Sequence, residues 1–198
     1  MNQAKIIAID GDQVIFDFAE HWRCTAERVL DRSVFQQEPV FSLSRRFGLT
    51  HQDTAKVWDR FHQDGEWGRV PLLPQALSAV QTLLRQGWGV WVVSSVPDAG
   101  LAARRKQLSA AVPGAVFFQA ESLDPRYPNG APTKESILRY PGVQFFADDR
   151  WPHVAEAVRA SVPMVCRIVG GHDGNGSPVA DIEEYPDLPT ALHAFRIL

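Results

Sequence analysis

Apolar residues along this chain fall into short unbroken runs, separated by stretches in which they recur every three or four positions. Residues 5–9 read KIIAI, 89–93 GVWVV, 115–119 AVFFQ, 142–149 GVQFFADD and 162–169 VPMVCRIV. Runs of this length without polar alternation predict strands buried on both faces. Helical spacing prevails between them. Trp22, Ala26, Val29 and Leu30 share one stripe within residues 20–31. A second helix is predicted after Thr50, with Asp53 placed as a capping-box acid, Val57, Trp58 and Phe61 on one face, and a stop at Gly65. Leu77, Val80, Leu83 and Leu84 mark a third, closed by Gly87, and a further helical stretch runs through Leu101 and Leu108. Buried strands alternating with helices predict an α/β fold, a doubly wound (Rossmann-like) parallel sheet with helices on both faces.

Ligands of such sheets bind at the carboxyl ends of the strands, and there this chain concentrates its unusual polar groups. The first strand runs straight into Asp10-Gly11-Asp12, the second ends in Ser94-Ser95, and the fourth ends in Asp148-Asp149. Lys134, in APTKESIL, stands at a predicted helix start shortly before the fourth strand. Charge at the end of a buried strand is costly unless a metal, a partner or a reaction uses it. Carboxylates gathered at one edge repel one another unless a cation joins them, and hard oxygen donors with open positions suit Mg²⁺. A metal, an ammonium and a serine hydroxyl side by side suit a phosphoryl group.

Composition narrows the alternatives. A chain of 198 residues, 45% hydrophobic and 22% charged, fits one globular domain, or one domain carrying a modest insertion. A net charge of −3 argues against a nucleic-acid polymer as partner. The start, MNQAKIIAID, lacks the apolar core and cleavage site of a signal peptide, and no apolar stretch approaches a membrane span, so a cytoplasmic location and no membrane contact are expected. Cys24 and Cys166 lie far apart and are expected as two reduced, buried thiols.

DGDQV, VVSS, Lys134 and FFADD together resemble, in the right order, the four signature motifs of the haloacid dehalogenase (HAD) superfamily. The resemblance implies that Asp10 attacks phosphorus and forms an aspartyl-phosphate, while Asp12 protonates the leaving oxygen and then activates water. It implies Mg²⁺ as cofactor, held by the carboxylates of Asp10 and Asp148 and the backbone carbonyl of Asp12, with Asp149 orienting metal-bound water or Lys134 from outside the ligand set. Ser94, Ser95 and Lys134 would hold phosphoryl oxygens. Halide departure needs no proton, so a second acid at Asp12 argues for a phosphatase over a dehalogenase. The substrate would be a small-molecule phosphate ester.

About 75 residues separate the first two motifs, too many for one crossover helix. The resemblance therefore implies a helical cap over residues 19–74, with the core formed by 1–18 and 75–198. DGDQVIFDF, RVPLLPQA, SSVP and ADDR are further similar to segments of the 5'(3')-deoxyribonucleotidase branch. That similarity implies Phe18 in a base pocket, Arg150 supporting the phosphate side, and (deoxy)nucleoside monophosphates as substrates. Trp58, Phe61 and Trp67 are candidates either for stacking on a base or for the cap's own core.

Two positions depart from the superfamily pattern: Gln13 stands where glycine is usual, and Gly11 where a bulkier apolar residue is usual. Neither removes a functional group, yet they keep a catalytically silent binding protein in view, beside a phosphatase for a non-nucleotide metabolite. A receiver-type signalling domain is disfavoured by length and by the order of the motifs. From GGHDGNGSP (170–178) onward, Asp173, Asn175, Ser177 and Glu184 fall at calcium-loop spacing, but Pro178 occupies the position that needs glycine. His51 and His62 are expected on a solvated helix face, and Arg104, Arg105 and Lys106 on an exposed one.

Overall fold

A computed structural model describes residues 5–122 and 128–198; the first four residues, which belong to the stretch read above for a signal peptide, lie outside the described part. Strands β1 (Ile6–Ile9), β2 (Gly89–Ser94), β3 (Val116–Gln119), β4 (Val143–Asp148), β5 (Met164–Ile168) and β6 (Glu184–Tyr185) form one sheet in the order β3-β2-β1-β4-β5-β6. Every pairing is parallel. The chain builds outward from β1 to β2 and β3, then returns to place β4 on the other side of β1. The reversal between β1 and β4 is the point at which doubly wound sheets open a ligand crevice.

Both faces of the sheet are covered, which is why its strands read as continuous apolar runs. Ile7, Ile9, Val90, Val92, Phe145 and Cys166 point to one side, into a core shared with α4 (Pro74–Arg85), α5 (Asp98–Ala111) and α8 (Leu188–Ala194). Ile6, Ala8, Val93 and Phe146 point to the other, against α6 (Lys134–Leu138) and α7 (Trp151–Arg159). The β6 strand and α2 (Leu43–Arg46), α7 and α8 are elements that the periodicity of the sequence did not announce.

Between β1 and β2 lie α1 (Phe18–Leu30), α2, α3 (His51–Gln63) and a 3-10 turn (Glu66–Gly68). Trp22 and Ala26 of α1 bury against Val57 and Phe61 of α3, the stripes that spacing predicted. At the start of α3 the Thr50 hydroxyl accepts from Asp53 N at 3.1 Å, but the Asp53 carboxylate pairs with Arg32 instead of completing a reciprocal box. Three expectations need correction. Cys166 is buried but Cys24, on the outer face of α1, is exposed. His62 is half-buried, and its Nδ1 accepts from Trp67 Nε1 at 3.1 Å, because α3 ends by folding back under the 3-10 turn. Arg104 is not on an exposed face: it is 0% exposed, while Arg105 and Lys106 do face solvent.

No helix among the described residues is long and apolar enough to cross a membrane.

Candidate active site

The chain leaves β1 at Asp10, whose backbone N–H donates to Ala147 O of β4 at 2.8 Å. That bond sets Asp10 beside Asp148, the last residue of β4. Residues 11–16 then form a tight loop in which Gly11 O accepts from both Ile15 N and Phe16 N at 2.9 Å. Ser94 ends β2, next to β1, and packs so closely on Gly11 that a Cβ there would lie 2.6 Å from Ser94 Oγ.

Lys134, the first residue of α6, reaches across this edge. Its ammonium donates to Asp10 Oδ1 at 2.5 Å and to Asp148 Oδ2 at 2.7 Å. The second oxygen of Asp148 accepts from Arg150 N at 2.9 Å and meets His153 Nδ1 at 3.2 Å. Asp149 turns to the glycine-rich loop, where His172 Nε2 lies 2.7 Å from its Oδ2. Because His172 Nδ1 accepts from Gly174 N at 2.9 Å, the proton belongs on Nε2 and is donated to Asp149.

The electrostatics follow from burial. Desolvation pushes Asp10 up to about 7, with Lys134 opposing it and Asp148 adding to it. Asp148 is equally buried, yet Lys134 and His153 overcome that penalty and hold it below the usual carboxylate range. Burial, then the charges of Asp148 and Asp10, raise Asp149 well above that range. The Lys134 ammonium is disfavoured by burial, but its two carboxylates more than compensate and raise it. One ammonium is thus set among three buried acids.

Asp10, Asp148 and Asp149 offer carboxylate oxygens within 4.8 Å of one another, all buried. An all-oxygen, anionic donor set of this kind fits Mg²⁺. The carboxylate of Asp12 is not part of it; its Oδ1 pairs with Arg104 Nη2 at 2.6 Å.

Asp10, Asp12 and Asp149 line a cavity of about 450 Å³ whose walls include Phe18, Phe41, Trp58 and Trp67, with Asp148 buried behind them. Phe18 stacks on Trp67 at 5.5 Å and on Trp58 at 6.1 Å, while Phe61 meets the cluster edge-on from the core. Trp67 is only 4% exposed, so it belongs to the core as much as to the cavity wall. Gly100 of α5 lets it sit there, since a Cβ at that position would come within 2.6 Å of the indole. Arg150 lines the same cavity with its guanidinium 4.1 Å over the Phe41 ring. Ser95 also lines it, but its hydroxyl donates to Glu121 O at 2.8 Å. A larger cavity, about 720 Å³, opens behind Gln13; Asp10 and Ser94 line the smaller one and not this, and Lys134 lines neither.

A phosphatase from Clostridium difficile superposes over 100% of both chains with a TM-score of 0.66 at 11% identity. The haloacid dehalogenase-like hydrolase from Streptococcus pneumoniae covers 99% of this chain and 100% of its own, with a TM-score of 0.58 at 13% identity. The HAD-hydrolase YfnB from Bacillus subtilis, bound to magnesium, covers 98% and 100%, with a TM-score of 0.60 at 13% identity. The fold is that of the HAD-like hydrolases. Identities this low establish the fold alone. By sequence, no protein-family model and no curated protein matches the chain.

Of the residues picked out in the sequence, Lys134 touches Asp10 and Asp148 directly, Asp149 lies within 4.8 Å of both carboxylates, and Ser94 packs on Gly11 from the neighbouring strand. Sequence reasoning missed His153, His172 and Arg104. Arg104 had a signal: with Gly100 and Leu108 it recurs every four residues on the buried face of α5. His153 lies in the first turn of the helix that follows Asp148, within reach of it. His172 carried no signal, because only the path of a long loop returns it to the site.

Proposed function

We propose that this protein is a phosphomonoester hydrolase that works through an aspartyl-phosphate on Asp10. The observation that carries the reading is the Lys134 ammonium spanning Asp10 and Asp148, at the ends of the two strands that flank the topological reversal. Phosphoryl transfer needs little covalent chemistry from a protein beyond positioned charge.

Mg²⁺ would be held by Asp10, Asp148 and the Asp12 carbonyl, with Asp149 beside them, and when bound it supplies positive charge that favours ionised Asp10 and neutralises phosphoryl oxygens. Asp10 forms a bond to phosphorus as the ester P–O bond breaks, and Asp12 gives its proton to the departing oxygen. Water then attacks the aspartyl-phosphate, Asp12 takes a proton from it, and phosphate leaves Asp10 ionised. Lys134 and Ser94 hold the phosphoryl oxygens throughout, and Ser95 adds its backbone to that side. Residues 19–74 act as the cap over a core of 1–18 and 75–198. Their part in the cavity wall, through Phe41, Trp58 and Trp67, supports that division.

The test is Mg²⁺-dependent release of phosphate from 4-nitrophenyl phosphate, expected in the unmodified protein and abolished in Asp10→Asn. Folded protein without turnover across a broad ester panel would leave a silent HAD-like binding protein.

A finer reading assigns (deoxy)nucleoside monophosphates as substrates. The aromatic wall supports it, since Phe18, Trp58 and Trp67 could face a base, and Arg150 could face a second polar group of the ester. Against it, a neighbour in fold from Haemophilus somnus is described as a predicted phosphoglycolate phosphatase (TM-score 0.61, 17% identity, 100% of both chains). Rates on nucleotides that do not exceed those on phosphoglycolate and sugar phosphates would remove the nucleotide reading and leave the phosphatase.

A further inference from the structure

Burying a guanidinium is expensive unless its charge is matched. Arg104 is 0% exposed, in the middle of α5, and the carboxylate it meets is that of Asp12, with Nη2 2.6 Å from Oδ1. A second contact, to Gln107 Oε1 at 3.4 Å, is long. The plane of the group is clamped as well: its carbon lies 4.0 Å over the Phe16 ring and 5.4 Å from the Trp67 ring. Phe16 closes the same loop that carries Asp12, through its bond to Gly11 O. Gln107, one turn on, donates to Val70 O at 2.5 Å and fixes α5 against the end of the helical segment.

The consequence lies in the two oxygens of Asp12. Oδ1 is taken by Arg104, and no donor among the described residues meets Oδ2. The side chain is 25% exposed and lines the cavity over Asp10. We propose that Arg104 is the positioning residue of Asp12: it fixes Oδ1 and thereby dedicates Oδ2 to exchanging a proton with the ester oxygen and then with water. Arginine suits the task because it stays charged and has no acceptor, so it cannot take the proton that Asp12 must deliver. This rests on the phosphatase reading.

Proton delivery matters in proportion to how poor the leaving group is. The Mg²⁺-loaded full chain is therefore assayed with 4-nitrophenyl phosphate, whose phenolate leaves unaided, and with benzyl phosphate, whose alkoxide does not. In Arg104→Met, kcat/KM on benzyl phosphate, which reports formation of the aspartyl-phosphate, is expected to fall by ~10²-fold or more, against less than about 5-fold on the nitrophenyl ester. Arg104→Lys should restore part of the benzyl rate. Equal losses of kcat/KM on the two esters overturn the proposal while the phosphatase stands. No turnover by the unmodified protein overturns both. If Arg104→Met does not fold, the Lys variant is read in an Asp12→Asn background. There it is expected to change neither rate by more than about 2-fold, since the group it serves is gone. A further loss shared by both esters overturns the proposal.

Discussion

Gly11 shows how a single missing side chain can make room for a neighbouring strand's hydroxyl. Its φ lies outside the left-handed region, so the backbone does not ask for glycine; the space does. A methyl group there would stand 2.6 Å from Ser94 Oγ and 2.9 Å from Ser94 Cβ. Ser94 is buried at the end of β2 and has little room to retreat. The departure from the bulkier residue usual at this position is thus matched by a serine packed directly against Gly11. Gly11→Ala is expected to cost ~1–3 kcal/mol by overpacking. Phosphatase activity should fall by more than the stability loss explains, because the displaced hydroxyl is a proposed phosphoryl ligand. Urea denaturation and kcat on 4-nitrophenyl phosphate check the two halves; a variant with unchanged kcat would remove Ser94 from the site.

At the scale of elements, Gln13 joins three of them. Its φ of +64° is a conformation in which non-glycine residues are strained, and glycine would relieve that strain. The side chain gives something back. Asp17, the N-cap of α1, makes no side-chain capping bond, and Gln13 Oε1 accepts from Ala19 N in that first turn at 2.7 Å. Its Nε2 donates to Gly170 O at 3.1 Å, on a carbonyl that also accepts from Arg46 of α2 at the same distance. The loop after β1, the start of α1 and the glycine-rich loop are held at one point. Relief of strain is worth ~1–2 kcal/mol, against two part-buried bonds worth ~0.5–1.5 each plus the groups left unpaired. Gln13→Gly is expected to lose about 1 kcal/mol net, a drop in Tm of ~2–4 °C for a chain of this size. Thermal denaturation checks it, and a rise in Tm would mean the strain outweighs the bonds.

At the scale of the whole molecule, the fold gathers acids from two strands separated by most of the chain. Three buried carboxylates facing one ammonium make the folded state a better partner for a divalent cation than the unfolded chain. Mg²⁺ at about 100 times its Kd should stabilise by ~2.7 kcal/mol, or ~5–10 °C in Tm. A chelator should reverse the shift, and Asp148→Asn should lose most of it. An unchanged Tm across millimolar Mg²⁺ would argue against a metal at this cluster.

The sequence by itself determined the parallel α/β sheet, since strands buried on both faces must be apolar throughout. It also determined the strand-end positions of Asp10, Ser94 and Asp148, because a polar residue can follow such a run only where the run leaves the core. Lys134 was legible because a helix start is visible in its cap. Tertiary structure alone decided what those groups touch: that Asp149 meets His172 from a distant loop, that Ser95 turns to Glu121, and that Arg104 faces Asp12. Periodicity reports which face of an element is buried, and says nothing of which partner waits there; a buried arginine in an apolar stripe and an exposed one in a basic run are written with the same letters.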